Sequence, residues 1–131
     1  MSDDTSSRRY KANIRSLTPG EADATIDALR PVWYTPKEDA DNPVAQGMYG
    51  LIAEEVAEVD PTLVYWVPDE EKSVTERPEA VHYMQLGPLL VQVVQAQKAR
   101  VAELEARIAM LDTELQELRA LVAALATPRR D

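Results

Sequence analysis

The sequence predicts an α+β fold: a small mixed head domain followed by a long C-terminal helix that forms a parallel coiled coil. Two observations carry this prediction. Short helical and strand-like segments alternate with Pro-rich and Gly-rich breaks through residues 8–88. From residue 89 to 127, apolar residues recur at the heptad spacing of a coiled coil. A lead-in at residues 1–7, expected to be flexible, and a tail at residues 128–131 complete the predicted organisation of the 131 residues.

The first predicted helix begins with a capping signal. Thr18 is followed three residues later by Glu21, the spacing of a capping box, and Pro19 suits the first helical position. Ile26 and Leu29 are expected to form the apolar face of this helix. Pro31 is expected to end it.

A strand, a loop and a second helix follow. Residues 32–34 are a short strand of β-branched and aromatic types, and residues 35–47 have the composition of a loop. The spacing of apolar residues predicts a helix over 50–59. Its apolar face is formed by Leu51, Ile52, Val56 and Val59.

Residues 63–67 form a second predicted strand, and the acidic residues 69–79 are expected to form a solvated loop. Residues 81–83 are strand-like and lead into the last helix. The aromatic residues of the two strands are expected to supply the core between them, with a carbohydrate-binding platform as the less favoured alternative. They are Trp33, Tyr34, Tyr65 and Trp66.

The last helix has an unbroken 4-3 alternation of core positions over five heptads. The d positions are Leu90, Gln97, Leu104, Leu111, Leu118 and Leu125. The a positions are Val94, Val101, Ile108, Leu115 and Val122. A period of 3.5 residues sustained over this length is typical of a left-handed coiled coil, and is favoured here over a single helix folded onto its own domain.

Charges beside the core positions indicate the orientation. In a parallel pair, a g residue faces the e residue five positions later on the partner. Here those pairs are all opposite in sign: Arg100–Glu105, Arg107–Asp112 and Glu114–Arg119. A parallel, in-register homo-oligomer is therefore predicted. Val or Ile at a with Leu at d favours a coiled coil of two helices. The apolar Val91 and Val93, at e and g, favour a larger number of helices. Periodicity alone therefore does not decide between a dimer and a trimer.

Composition excludes several classes of protein. The 23 acidic and 14 basic residues give a net charge of −9, which argues against a nucleic-acid partner. All of the excess lies in residues 31–80. The chain has no cysteine and a single histidine, His82, so disulfides, thiolate metal sites and multi-histidine metal sites are excluded. No apolar run is long enough to span a membrane, and the first 20 residues lack the apolar core of a signal peptide. We expect no cofactor, no membrane partner and synthesis in a cytoplasm.

Three segments resemble one known family. Residues 50–64, GLIAEEVAEVDPTLV, are similar to GLIAQEVxxxxPELV, the signature of the peptidase S74 family. This is the intramolecular chaperone domain at the C-terminus of phage tailspikes and tail fibres, with relatives in endosialidase tailspikes and the myelin regulatory factor. Residues 9–14, RYKANI, resemble the family's opening RLKxNI, and residues 81–86, VHYMQL, resemble its VDYxxL. The resemblance spans residues 6–125.

The resemblance implies a self-cleaving, trimeric chaperone. Members of this family guide the folding of an upstream trimeric β-structured fibre and then cut at their own N-terminus, using a serine and a lysine five residues later in the motif SDxRxK. On this sequence the motif selects Ser6 as nucleophile and Lys11 as base, with cleavage between Thr5 and Ser6. Ser7 stands where the family has Asp. Both a chain beginning near a processing site of a longer fibre protein and a stand-alone assembly protein that never cuts fit the sequence.

Serine–lysine chemistry has a physical requirement. A serine hydroxyl attacks only when a base removes its proton, and a lysine can do so when burial or nearby positive charge lowers its pKa. Arg8, Arg9 and Arg15 are candidates for that charge. Without the family spacing, Ser7 would be the preferred nucleophile in a helical segment.

Other chemistry-bearing residues have simpler interpretations. Glu54, Glu55 and Glu58 are expected to be a solvated helix face rather than an acid–base pair. His82 is expected to be a packing residue where the last strand meets the helix. The pair at 129–130, Arg-Arg, is too short a basic tail to indicate nucleic-acid binding.

The function predicted from these observations is an intramolecular chaperone. It assembles as a parallel homotrimer, templates a phage tail fibre or tailspike, and releases itself through Ser6 and Lys11. The competing class is a non-cleaving coiled-coil oligomerisation or adaptor module that stays in the tail particle. The expected partners are further copies of the chain and an upstream or separate trimeric fibre protein. The expected location is the host-cell cytoplasm during assembly, and the virion tail afterwards if the chain is retained.

Overall fold

The computed structural model describes residues 6–71 and 76–127. It has an α+β fold with a long C-terminal helix, as the sequence predicts. The chain divides into two compact units, with the division between Val93 and Val94. The first unit holds short helices and two small antiparallel sheets, and the second unit is helical.

Helix α1 (Pro19–Ala28) begins with the predicted capping box. The Thr18 hydroxyl accepts a hydrogen bond from the Glu21 backbone N–H, and the Glu21 carboxylate accepts one from the Thr18 backbone N–H at 2.9 Å. Arg15 adds a bidentate ion pair to the same carboxylate, with distances of 2.7 and 3.0 Å. Ala22, on the face that the sequence assigned to Ile26 and Leu29, is the buried residue of this helix.

The predicted strand at 32–34 has a partner that the sequence did not indicate. β1 (Val32–Tyr34) pairs antiparallel with β2 (Met48–Gly50), with Trp33 opposite Tyr49. Trp33 is 61 % exposed and Tyr49 is 90 % exposed. Of the β2 residues, Gly50 was predicted to begin the second helix, and Met48 and Tyr49 lie between the predicted loop and that helix.

Helix α2 (Ala53–Val59) starts three residues later than predicted. Gly50 belongs to β2, and Leu51 and Ile52 connect the strand to the helix. Val56 is 1 % exposed and is the most buried large side chain of the head, whereas Ile52 is 37 % exposed. Ala53 and Ala57 complete the helical face beside Val56, and Leu51 packs against the same core from the connection before the helix.

The second sheet extends into the segment predicted as an acidic loop. β3 (Val64–Val67) pairs antiparallel with β4 (Arg77–Val81), with an irregularity between Tyr65 and Trp66. The strand was predicted at residues 81–83, but β4 ends at Val81 and helix α3 already begins at Tyr83. Pro78 lies opposite Trp66; a proline, which lacks a backbone N–H donor, is tolerated here because a two-stranded sheet consists only of edge strands.

The core is aliphatic, so the prediction of an aromatic core between two strands was wrong. The buried cluster consists of Val56, Leu63, Val64, Val81 and Leu86. The predicted aromatic residues are instead between 41 and 61 % exposed: Trp33, Tyr34, Tyr65 and Trp66. The reason is topological: β1 and β3 lie in separate two-stranded sheets, so no face is enclosed between them.

Helix α3 runs from Tyr83 to Ala126 without interruption. Its first turns anchor the head, because Leu86 is buried in the core cluster and Leu89 packs against that cluster. Pro88 lies inside the helix, near its start. From Val94 to Ala126 every described residue but Ala96 is exposed.

Candidate functional site

The segment that carries Ser6 and Lys11 is an exposed turn at the N-terminal end of the described chain. Arg8–Tyr10 forms a single 3-10 turn, closed by hydrogen bonds from the Tyr10 N–H to the Ser7 carbonyl and from the Lys11 N–H to the Arg8 carbonyl. This turn reverses the chain direction enough to return the Lys11 side chain to Ser6. Both of the residues that the family spacing selected are therefore neighbours in space.

The contact between them involves the backbone of Ser6. Lys11 Nζ donates a hydrogen bond to the Ser6 carbonyl oxygen at 2.5 Å, rather than to the hydroxyl. Both residues are exposed. The amine is thus within reach of the serine, but not in the geometry of a base that removes the hydroxyl proton. Thr5, on the other side of the predicted scissile bond, lies outside the described residues.

Ser7 has a structural role of its own in this turn. Its hydroxyl accepts a hydrogen bond from the Arg9 N–H at 3.4 Å and so caps the 3-10 turn. Asp and Ser are equally favoured in this capping role, because each has a short side chain with an acceptor oxygen. Ser7 therefore caps this turn as an Asp at the same position could.

The positive charge expected around Lys11 is distributed unevenly. Arg9 lies over the Tyr10 ring, with its guanidinium carbon 4.8 Å from the ring centroid. Arg15 is directed away to the Glu21 carboxylate, and this ion pair raises the pKa of Arg15. The pKa of Glu21 is lowered to about 2. The hydrogen bonds from Arg15 to its carboxylate are the largest cause, and the hydrogen bond from the Thr18 N–H is the next.

The same segment contains one residue, Asn13, whose backbone conformation accounts for the residue type at that position of RYKANI. Asn13 has φ of 54°, in the left-handed region. Asn adopts this conformation more readily than other residues with a Cβ, because its short amide can bond locally. The Asn of RYKANI therefore turns the chain between the 3-10 turn and the capping box of α1.

The other two resembling segments contact each other. The Tyr83 hydroxyl accepts a hydrogen bond from the Leu51 N–H at 2.8 Å, which joins the start of α3 to the GLIAEEV segment. A Cβ added to Gly50 would lie 3.0 Å from both the Tyr83 hydroxyl and the Tyr34 ring, so a glycine keeps this approach open. The His82 N–H donates to the Leu63 carbonyl at 2.8 Å.

Residues with alternative interpretations are also placed by the structure. Glu54 and Glu58 are exposed, and Glu55 forms a bidentate ion pair with Arg30 at 2.8 and 2.9 Å, which lowers the pKa of Glu55. These glutamates are a solvated helix face, as predicted. The His82 ring packs on Tyr65, with centroids 3.5 Å apart, which agrees with its predicted packing role.

Part of the acidic loop, at 72–75, and the Arg-Arg pair at 129–130 lie outside the described residues. Within 6–71 and 76–127, no group of three or more His, Cys, Asp or Glu side chains is arranged to hold a metal ion. Over the same residues, no helix combines the length and the apolar composition that crossing a membrane requires.

The second candidate site is the apolar stripe of α3, defined here as its apolar a and d residues. These side chains are all at least 40 % exposed in the single chain, with Leu104 the least and Leu125 the most exposed. The stripe comprises Leu90, Val94, Val101, Leu104, Ile108, Leu111, Leu115, Leu118, Val122 and Leu125. An exposed apolar surface of this length is typical of a protein–protein interface.

The hydrogen bond of Tyr83 with Leu51 and the close approach at Gly50 are contacts that sequence reasoning missed. Tyr83 and Gly50 both lie inside the resembling segments, so their positions were visible, but nothing in the spacing indicated that the two segments meet through the Tyr83 hydroxyl. The Ser6–Lys11 proximity was indicated only by the family spacing.

Comparison with known proteins supports the resemblance over the N-terminal part of the chain. Residues 6–65 match the peptidase S74 family model, described as the chaperone of endosialidase. The match contains Ser6, Lys11 and the GLIAEEV segment. No curated protein matches the chain. The prediction of an S74-type chaperone domain is therefore confirmed, with residues 6–65 as the matched region.

Proposed function

We propose, from the S74-type chaperone domain at residues 6–65, that the chain assembles as a parallel homotrimer and templates the folding of a trimeric phage tail fibre or tailspike. The observation that carries the proposal is the combination of that domain with the exposed apolar stripe of α3. Closing a coiled coil holds several copies of an upstream segment together, so that slow, non-local β pairing between chains becomes effectively intramolecular.

The stripe supports association because its exposure in one chain is costly. Each of its ten side chains is of the type that gains about 1.5–3 kcal/mol from full burial. Opposite charges at g and e flank the stripe, and a second copy of the same chain supplies the complementary sign in the three charged pairs already described. The number of strands is taken from the family, since the heptads alone fit two or three.

Light scattering on the full chain tests the assembly. We expect the mass of three chains, and a Leu111→Glu chain should be monomeric because a carboxylate would be buried in the seam. An exposed-position control, Thr113→Glu at f, should leave the mass unchanged. A monomeric wild-type chain would contradict the proposal, and a dimer would remove its trimeric part.

Release by self-cleavage is the finer part of the proposal. Ser6 is the proposed nucleophile and Lys11 the base, supported by the turn that brings the Lys11 amine to the Ser6 backbone. A lysine acts as a base once its amine is desolvated, so we propose that the upstream segment or a neighbouring copy covers the exposed turn during assembly. The amine then moves from the Ser6 carbonyl to the Ser6 hydroxyl and takes its proton as the hydroxyl oxygen attacks the Thr5 carbonyl carbon. The resulting Lys11 ammonium gives this proton to the Ser6 nitrogen as the bond between that nitrogen and the Thr5 carbonyl carbon breaks. Water later hydrolyses the ester between Thr5 and the Ser6 oxygen.

A precursor with a trimeric fibre segment placed before residue 1 tests the cleavage. N-terminal sequencing should find new termini at Ser6 in the wild type and none in Ser6→Ala or Lys11→Met. Ser16→Ala, a nearby exposed serine, is the matched control and should be cut normally. An uncut wild-type precursor would contradict self-cleavage while leaving the templating role intact.

A non-cleaving coiled-coil module retained in the tail particle is the second candidate. It is favoured by the exposure of both Ser6 and Lys11 and by the contact of the amine with the carbonyl rather than the hydroxyl. Under either proposal the partners are further copies of the chain and a trimeric fibre protein, with no nucleic acid or membrane. Assembly takes place in the host-cell cytoplasm, and the uncut module remains in the virion tail.

A further inference from the structure

Gln97 interrupts the apolar stripe at a single position. Of the eleven a and d positions between Leu90 and Leu125, it is the only polar one. Its side chain is exposed in the single chain. The remaining ten positions are aliphatic, so the layers that still overlap after a shift of one heptad would otherwise pack similar residues against each other.

We infer that Gln97 sets the register between copies of the chain, so that equivalent residues lie at the same level of the coiled coil. The inference rests on the proposed association. In register, Gln97 meets Gln97 of the other copies, and each amide can donate to a neighbouring amide oxygen. After a slip of one heptad, Gln97 meets Leu90 or Leu104 instead, and a buried amide without a partner is strongly disfavoured.

The charges beside the stripe favour the same register. A slip of one heptad replaces the opposite-charge pairs with three like-charge pairs and two opposite-charge pairs. The like-charge pairs would be Arg100–Lys98, Arg107–Arg119 and Glu114–Asp112, and the opposite-charge pairs Arg100–Asp112 and Arg107–Glu105.

Gln97 is nevertheless the stronger determinant of the two. Exposed ion pairs contribute little and are screened by salt. Arg100 also has a partner within its own helix, because its guanidinium donates to the Glu103 carboxylate at 3.0 Å. The cost of a buried amide without a partner does not depend on salt. The register should therefore persist at a salt concentration that removes the contribution of the charges.

The absence of cysteine allows a disulfide to measure the register. Full-length Leu111→Cys and Leu118→Cys chains are mixed, unfolded, refolded together and oxidised in a glutathione buffer. One heptad is about 10 Å along a helix, whereas a disulfide needs Cα atoms within about 7 Å. In-register chains should therefore give only disulfides between equivalent positions, and slipped chains should give disulfides between the two different positions.

We expect the mixed disulfide to be rare in the wild-type background at about 0.1 M and about 1 M salt, where the Debye length falls from about 10 Å to about 3 Å. Gln97→Leu should raise its fraction by about fivefold or more and raise the melting temperature, because an aliphatic side chain replaces an amide in the seam. Gln95→Leu, at the outward b position two residues away, is the matched control and should change neither the mixed fraction nor its response to salt.

The outcomes separate the inference from the proposed function. If Gln97→Leu associates but leaves the mixed disulfide as rare as in the wild type, Gln97 does not set the register and only the inference is overturned. If light scattering finds monomers, both fall. If the mixed disulfide becomes common in the wild type at high salt, the charges rather than Gln97 set the register, which also overturns the inference.

Discussion

Individual hydrogen bonds decide the geometry of the N-terminal segment, where nothing is buried deeply. The turn at Arg8–Tyr10, the left-handed Asn13 and the capping box at Thr18 each satisfy backbone groups locally. These contacts depend on short polar side chains at fixed positions. Substitutions there should therefore change the path of the chain between Ser6 and α1 more than they change global stability.

Ser7 provides a test of that view within the proposed cleavage reaction. Ser7→Ala removes the acceptor that caps the turn, and a lost cap costs about 0.5–2 kcal/mol, so we expect self-cleavage of a precursor to slow by about 2- to 30-fold. Ser7→Asp should restore the rate because a carboxylate caps the same N–H. Amide hydrogen exchange at Arg9 checks the cap independently: exchange should accelerate in Ser7→Ala and not in Ser7→Asp. Equal exchange in all three chains would rule out the capping role.

Glu21 should make the start of α1 sensitive to acid. Its pKa in the folded chain is about 2, below its ordinary value of 4.5, because Arg15 and Thr18 donate hydrogen bonds to the carboxylate. A lowered folded-state pKa contributes stability above the unfolded value, and this contribution is lost as the pH falls from about 5 toward 2. NMR titration of the Glu21 carboxyl should give a midpoint near 2 that moves up in Arg15→Gln. A midpoint near 4.5 in the wild type would contradict the ion pair.

At the scale of elements, the β1–β2 hairpin depends on a close approach that only glycine allows. A Cβ added to Gly47 would lie 1.8 Å from Trp33 Cζ2, so the indole lies directly against the backbone before β2. Gly20, by contrast, has nothing within 4 Å of an added Cβ. These two glycines therefore form a matched pair, one in contact with an aromatic ring and one in open space.

Gly47→Ala should displace the Trp33 ring and weaken the β1–β2 hairpin by about 1–3 kcal/mol, as overpacking usually does. Tryptophan fluorescence in a Trp66→Phe background measures the displacement, since Trp33 is then the only indole. Gly20→Ala should leave both the fluorescence and the unfolding midpoint nearly unchanged. An unchanged spectrum in Gly47→Ala would show that the indole does not lie against this backbone.

For the whole molecule, the small core makes association important. The described head buries only six hydrophobic residues, of which Val56 is the largest that is almost fully enclosed. A core of this size is marginal alone, whereas burial of the apolar stripe between copies would add stability by mass action. Leu86 and Leu89 connect the two contributions, because they pack in the head at the start of the helix that carries the stripe.

The melting temperature of the chain should therefore rise with its concentration. We expect an increase of about 2–6 °C for each tenfold rise in concentration, measured by circular dichroism at 222 nm and by near-UV signals of the head. In Leu111→Glu the dependence on concentration should disappear and the head should melt at a lower temperature. A wild-type midpoint that is independent of concentration would mean that the head is stable without association.

The sequence by itself determined the elements that are specified locally. The capping box of α1 and the long α3 with its heptads follow from spacings of three, four and seven residues, which a linear pattern records. The choice of Ser6 and Lys11 came instead from the resemblance to the family motif. The sequence did not determine the strand pairing: β2 and β4 lie in segments whose glycine, proline and acidic residues are typical of loops.

Only the tertiary structure decided which residues form the core and how the resembling segments meet. The aromatic residues of β1 and β3 remain exposed because their strands pair with distant partners in separate sheets, and the core is closed instead by aliphatic residues from α2, β3, β4 and α3. Likewise, Tyr83 reaches the Leu51 N–H across 32 positions of sequence. Such contacts depend on the free energy of non-local packing, which no local spacing encodes.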